Sequence, residues 1–136
     1  ARGCILGITR GTKREHIIRA AQESIAYQVA DLVHAMEADT GLPLSALKAD
    51  GGASRDHFLM QFQADMLGAP LRRPDNAETT ALGAAYLAGL STGFWKSTEE
   101  LAALREGEDR FLPTFDEPMR AARLAAWHEA VSRVRS

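Results

Sequence analysis

The sequence predicts an α/β layer fold, and three observations carry that prediction. Short apolar runs bounded by glycine or proline, at Gly3 to Thr9, Leu42 to Ala49 and Ala69 to Arg73, read as strands. Between and after them lie stretches of ten or more residues with helical spacing. The two kinds of segment alternate, which is the order that builds a sheet covered by helices. The strands are few, so the sheet is expected to be incomplete within these 136 residues.

The elements follow in order. After the first strand, Arg10-Gly11-Thr12 is a turn, and Thr12 with Glu15 forms the S/T-x-x-E box that opens a helix. That helix is predicted from Lys13 to about Ala38, with Ile18, Ala21, Ile25, Val29, Leu32 and Met36 on one face and Gly41 past its end. Its polar residues Arg19, Gln22, Glu23 and Asp31 read as a solvated or interface face. The second strand ends at Asp50-Gly51-Gly52-Ala53, and Ser54 is the expected N-cap of a helix from Arg55 to Leu67, with Phe58, Leu59, Phe62 and Met66 inward. Gly68 ends that helix. The third strand stops at Pro74, Asp75 and Asn76 turn the chain, and a helix of small residues runs from about Thr80 to Leu90. Gly93-Phe94-Trp95 breaks the pattern. Ser97 and Glu100 open a short helix to about Arg105, and Glu106 to Asp109 reads as a charged turn. Phe111-Leu112-Pro113 is extended. Asp116 caps a last helix, Glu117 to Val134, with Ala122, Leu124, Ala125, Trp127 and Val131 on its apolar side.

Composition sets the bounds. Hydrophobic residues make up 46% and charged residues 25%, as in an ordinary globular domain. The length suits one domain or a large piece of one. A net charge of −2 supplies no basic field for nucleic acid. The apolar runs are far short of a bilayer span, no signal-peptide pattern is visible, and cytoplasm is the expected compartment. The chain opens on Ala1-Arg2-Gly3 and runs at once into an apolar segment, which suggests a piece of a larger protein. Cys4 is the single cysteine and reads as a buried small hydrophobe.

The stretch that bears on chemistry is Ala49 to Phe58, ADGGASRDHF. A strand ends, two glycines turn the chain and a helix begins. Glycines allow close backbone approach, and N–H groups at a helix start point toward negative charge. Gly-Gly turns between a strand and a helix are common, and a plain structural turn is the commoner meaning of this pattern. No Lys-Ser/Thr follows, so this is not a P-loop, and no Gly-x-Gly-x-x-Gly is present. His16 and Glu23 lack a third ligand, and His34, His57 and His128 stand isolated, so no metal site is expected. Ser24, Ser45 and Ser91 have no nucleophile-elbow pattern. The residues alone lead to an α/β domain with one glycine turn that is a candidate for facing an anion.

Two segments together resemble a known family. Gly3-Cys4-Ile5-Leu6-Gly7-Ile8, then seven residues, then His16-Ile17-Ile18-Arg19-Ala20-Ala21-Gln22-Glu23 is similar to the second signature of the FGGY carbohydrate kinases, with Gln22 standing where an apolar residue is usual. Ala49-Asp50-Gly51-Gly52-Ala53 with Phe58 to Asp65 resembles the nucleotide-side segment of that family. Thr79 to Leu90 and Gly93-Phe94-Trp95 match further. The likeness spans nearly the whole chain, fades after about Glu106 and is loose around Phe111 to Arg123.

The resemblance implies the C-terminal portion of a two-domain kinase, each half a ribonuclease-H-like, actin-like ATPase fold, with ATP in the cleft between them. Residues 1–136 would be part of the nucleotide-side domain, and its partner would be an N-terminal substrate domain absent from this chain. Gly51 and Gly52 would face the nucleotide with their backbone donors. Asp56 stands where the family has an adenine-contacting Asn; an ionised Asp only accepts hydrogen bonds. Gly51, Gly52 and Asp56 are thus the cofactor-binding candidates. No catalytic and no metal-binding residue is expected here, because the base and the substrate contacts have no match in the chain. Among family members the motifs favour those that phosphorylate glycerol with Mg2+ and ATP, as a homo-oligomer. Kinases of xylulose or gluconate, and a non-catalytic module with a kinase-derived fold, remain the alternatives.

Overall fold

A computed structural model describes residues 3–75, 79–104 and 107–135. Helix α1 spans Arg14–Thr40 and is ended by Gly41 in the left-handed region at φ 68°, its N–H bonded to the Glu37 carbonyl at 2.8 Å. Its start differs from the expected box. Thr12 closes the preceding turn, its Oγ1 accepting from the Thr9 N–H at 2.9 Å, and the cap falls on Lys13, whose N–H donates to His16 Nδ1 at 3.2 Å. The Thr12 hydroxyl thus serves the turn before the helix rather than the helix start.

Strand β1 is only Leu47–Lys48. A 3-10 turn, Gly52–Arg55, leads into α2, His57–Leu67. Strand β2 is Leu71–Pro74, α3 is Thr79–Ser91, α4 is Thr98–Ala103, β3 is Glu108–Phe111 and α5 is Glu117–Ser132. The sheet has the order β1-β2-β3. β1 runs parallel to β2 with Leu47 opposite Leu71, and β3 runs antiparallel to β2 with Leu71 opposite Phe111. The α/β class stands, with a small mixed sheet.

The core is built around α2. Leu59, Met60, Phe62, Ala64 and Met66 are buried there, together with Leu71, Phe111 and Ala26. Helix α2 packs chiefly on α1 and touches β2, β3 and α5. Aromatic edges lock this centre, with Tyr27 and Phe115 both T-shaped to Phe62. Asp65, only 4% exposed, is satisfied by the Thr114 N–H at 2.6 Å, the Thr114 hydroxyl and Gln61. Buried polar groups need such partners, and this one ties the segment before α5 to α2.

Several expectations are corrected. Residues 3–9 form no strand, because none of the described residues offers them a ladder; Ile5, Leu6, Ile8 and Cys4 are exposed. The strand expected over Leu42 to Ala49 shrinks to Leu47–Lys48, the part alongside β2. Ser54 does not cap α2; Asp56 does, accepting from the Leu59 N–H at 3.1 Å. The face of α1 that packs inward is Ala26, Ala30 and Val33, where small side chains admit α2, while Ile18, Ile25, Leu32 and Met36 stay exposed. The charged turn expected at Glu106 to Asp109 is instead strand β3 from Glu108 onward. Its acids face the arginines of β2, Glu108 toward Arg72 at 3.5 Å and Asp109 toward Arg73, and opposite charges across strands favour pairing. Helix α3 is mostly exposed apart from Gly89, against which the Trp95 ring lies so closely that a Cβ would sit 2.1 Å from it. The small residue there admits the folded-back Gly93-Phe94-Trp95 segment. Asn76, Arg105 and Glu106 lie outside the described residues.

Candidate functional site

The site begins where β1 ends. Ala49 still bonds to β2, its N–H to the Arg72 carbonyl at 3.0 Å, and the chain then turns at Gly51 with φ 81° and ψ −177°. That backbone conformation is essentially restricted to glycine. Gly52 opens the 3-10 turn in an ordinary conformation, and a Cβ built on it meets nothing within 4 Å. The side of the turn at Gly52 is therefore open for something to approach. Among the described residues the N–H groups of Gly52 and Ala53 find no acceptor.

The turn is fixed from beneath. Ser54, 2% exposed, donates its hydroxyl to the Gly51 carbonyl at 2.7 Å, and its own carbonyl accepts from Arg73 Nη1 at 2.7 Å. Arg73 is itself held by Asp109 on β3 and lies over the Phe111 ring, 5.2 Å from its centroid. The glycine turn is thus bolted to the sheet through one arginine. At its far end, Asp56 caps α2 with one carboxylate oxygen and takes a hydrogen bond from the Gln22 amide of α1 on the other, at 2.5 Å.

A cleft of about 450 Å³ lies beside the turn, lined in part by Lys48, Asp50, Arg72, Thr79 and Tyr86. Asp50 accepts from the Thr79 hydroxyl, joining the end of β1 to the start of α3. Among the described residues the Nε of Arg72 is buried without a hydrogen-bond partner. Gly51, Gly52 and Asp56 run in sequence along the turn and its cap but lie outside the lining of this cleft. Sequence reading missed Gln22, Ser54, Arg73 and Thr79 as parts of the arrangement. Ser54 was placed as a cap, and the other three act through side-chain contacts with residues 19 to 36 positions away, which no local spacing announces.

Charge elsewhere is modest. Asp31 joins α1 to α5 by accepting from Trp127 Nε1 at 2.8 Å and pairing with His128 Nε2 at 2.7 Å. Burial acts to raise its carboxyl, but the hydrogen bonds of Trp127 and His128, with the nearby His128 and His34 charges, outweigh it and hold it below the usual range. Burial pushes the Tyr27 hydroxyl up. Among the described residues no three His, Cys, Asp or Glu side chains gather as metal ligands would, and no helix is long and apolar enough to cross a membrane.

Comparison with known proteins bears on the chain as a whole. Residues 1–92 match the C-terminal domain of the FGGY family of carbohydrate kinases. The chain is 56% identical to a glycerol kinase of Carboxydothermus hydrogenoformans over 99% of its own length and 27% of that protein. It is 58% identical to a glycerol kinase of Dechloromonas aromatica over 98% of its length and 26% of that protein. In structure it superposes with a TM-score of 0.87 on Plasmodium falciparum glycerol kinase crystallised with ADP, at 34% identity, covering 98% of this chain and 27% of that one. The chain therefore spans about a quarter of the length of the relatives it matches.

Proposed function

The chain belongs to the FGGY family of carbohydrate kinases, and we propose that it is the nucleotide-side portion of an enzyme that transfers the γ-phosphoryl group of ATP to glycerol, giving glycerol 3-phosphate. The observation that carries the reading is the identity to glycerol kinases, 56% over nearly the whole chain. In the reaction a terminal hydroxyl oxygen of glycerol bonds to the γ-phosphorus as the bond to the bridging oxygen breaks. ADP leaves, and the hydroxyl proton passes to a base. No residue of this chain is assigned as that base or as a glycerol contact; both belong to the remaining part of the full-length protein, which also acts as the partner domain.

The role of these residues is to bind and orient ATP. The open side of Gly52 lets the backbone approach a nucleotide, and the Gly52 and Ala53 N–H groups supply donors to negative oxygens. Gly51 gives the turn its shape, and Arg73 holds it against the sheet through Ser54. Mg2+ bound together with ATP would neutralise phosphate charge, and no residue of this chain is assigned to hold it. The exposed apolar face of α1, at Ile18, Ile25, Leu32 and Met36, is assigned to contact with the rest of the full-length chain, of which the relatives have about three times as much again. Cytoplasm is the compartment that fits an ATP-dependent enzyme. ADP release by the full-length protein, with glycerol, xylulose or gluconate as acceptor, tests the reading. Glycerol is expected to give the highest kcat/KM, and a clear preference for either other acceptor would overturn it.

A further inference from the structure

The strand-to-helix turn is held at two points, and only one of them belongs to the sheet. Arg73 grips the Ser54 carbonyl from β2. Gln22 grips Asp56 from α1, across 34 residues of sequence. Both oxygens of the Asp56 carboxylate are thereby engaged, one by the Leu59 N–H at 3.1 Å and one by the Gln22 amide at 2.5 Å. Gln22 is itself confined. It is half-buried, and its neighbour Arg19, paired with Glu23 at 2.7 Å, lies 3.5 Å over the Phe58 ring in the first turn of α2. One turn of α1 therefore fixes the start of α2.

We infer that Gln22 is a positioning residue for the proposed ATP site: it holds the Asp56 carboxylate turned toward α1, as cap and tether, and away from the open side of the glycine turn. The inference rests on the nucleotide reading above. The physics is one of charge direction. An ionised carboxylate can only accept hydrogen bonds, so the oxygen that loses the Gln22 donor keeps no protein partner, and the carboxylate, then held by the Leu59 N–H alone, can rotate about that bond. A carboxylate swung toward the open side of the turn repels the phosphates of an arriving nucleotide, and a glutamate at position 22 drives it there by like-charge repulsion.

The test is a swap of donor and acceptor in the full-length protein, reading KM for ATP and KM for glycerol separately. Gln22→Glu sets two carboxylates against each other and is expected to raise the KM for ATP roughly tenfold, as couplings of paired groups do, with the KM for glycerol little changed. Gln22→Glu combined with Asp56→Asn restores a donor and an acceptor in reversed order, and Asn caps a helix as well as Asp does; the double variant is expected within about threefold of wild type. Gln22→Leu, which adds no charge, serves as the milder variant should Gln22→Glu fail to fold. It is expected to raise the KM for ATP severalfold when Asp56 is present and hardly at all when combined with Asp56→Asn. Additive effects of the two positions, or equal rises for ATP and glycerol, would overturn the role of Gln22 while leaving the kinase reading in place. A wild-type protein that turns over no ATP would instead bring down the kinase reading, and this inference with it.

Discussion

Gly51 and Gly52 are neighbours whose replacement is expected to have opposite consequences. Gly51 sits at φ 81° and ψ −177°, a region that a side chain enters only under strain of about 1–3 kcal/mol. Gly51→Ala should therefore lower the stability of the full-length protein by about that amount. Gly52 has an ordinary φ, and its Cβ would meet no protein atom within 4 Å. Gly52→Ala should be neutral or add about 0.4–1 kcal/mol by restricting the unfolded chain. Ligand binding is expected to divide differently. A valine at position 52 places its branches in the space a nucleotide would need. If it breaks one charge-assisted hydrogen bond from the turn, worth about 1.5–3 kcal/mol, the KM for ATP rises roughly 10- to 150-fold. The KM for glycerol should stay the same. Urea unfolding midpoints and the two KM values report both effects. Equal destabilisation by the two alanine variants, or a Gly52→Val variant whose ATP and glycerol KM values rise together, would refute the reasoning.

Other outcomes follow from the same geometry. Asp56→Asn should leave the ratio of kcat/KM for ATP and GTP unchanged, because its carboxylate is occupied by Leu59 and Gln22; a shift of roughly 5-fold or more would show that the side chain reads the base. Asp31, whose pKa is lowered in the fold, contributes stability above its ordinary value near 3.8 and loses that contribution as pH falls through the folded value. Asp31→Asn should accordingly be less stable than wild type at neutral pH, and the gap should close on acidification below about pH 4 in urea midpoints taken as a function of pH. The 136-residue chain alone is expected to release no ADP in a glycerol-dependent manner, which a coupled assay checks against the full-length protein.

The sequence was most readable where one residue decides the local backbone. Gly41 and Gly68 end α1 and α2 at positive φ, as their places after apolar helical stretches suggested, and Asp116 caps α5 through the Met119 N–H. It misled where a choice between equivalent local patterns is made by distant partners. Ser54 and Asp56 are both good caps, and the contest is settled by the Gly51 carbonyl, which takes the Ser54 hydroxyl, and by Gln22, which steadies Asp56. Glu108 and Asp109 look like turn residues until arginines 36 positions earlier offer them a ladder. The periodic stripe of α1 was a true apolar face, yet the helix buries its alanine side against α2, because a neighbouring helix comes closest where side chains are small. For the site, the position of the turn was legible from Gly51 and Gly52. What holds the turn, Arg73 and Gln22, was not, since each acts through a single contact made only once the chain has folded.

The claim that matters most is that ATP lies against the Gly51–Asp56 turn. Hydrogen exchange of the full-length protein, followed at the Gly52 and Ala53 amides with and without ligand, measures it directly. With no acceptor among the described residues, these two amides should exchange readily in the free protein. Saturating ATP is predicted to slow both, and glycerol alone to leave them unchanged. Amides that exchange at the same rate with ATP bound, or that are protected by glycerol and not by ATP, would contradict the account.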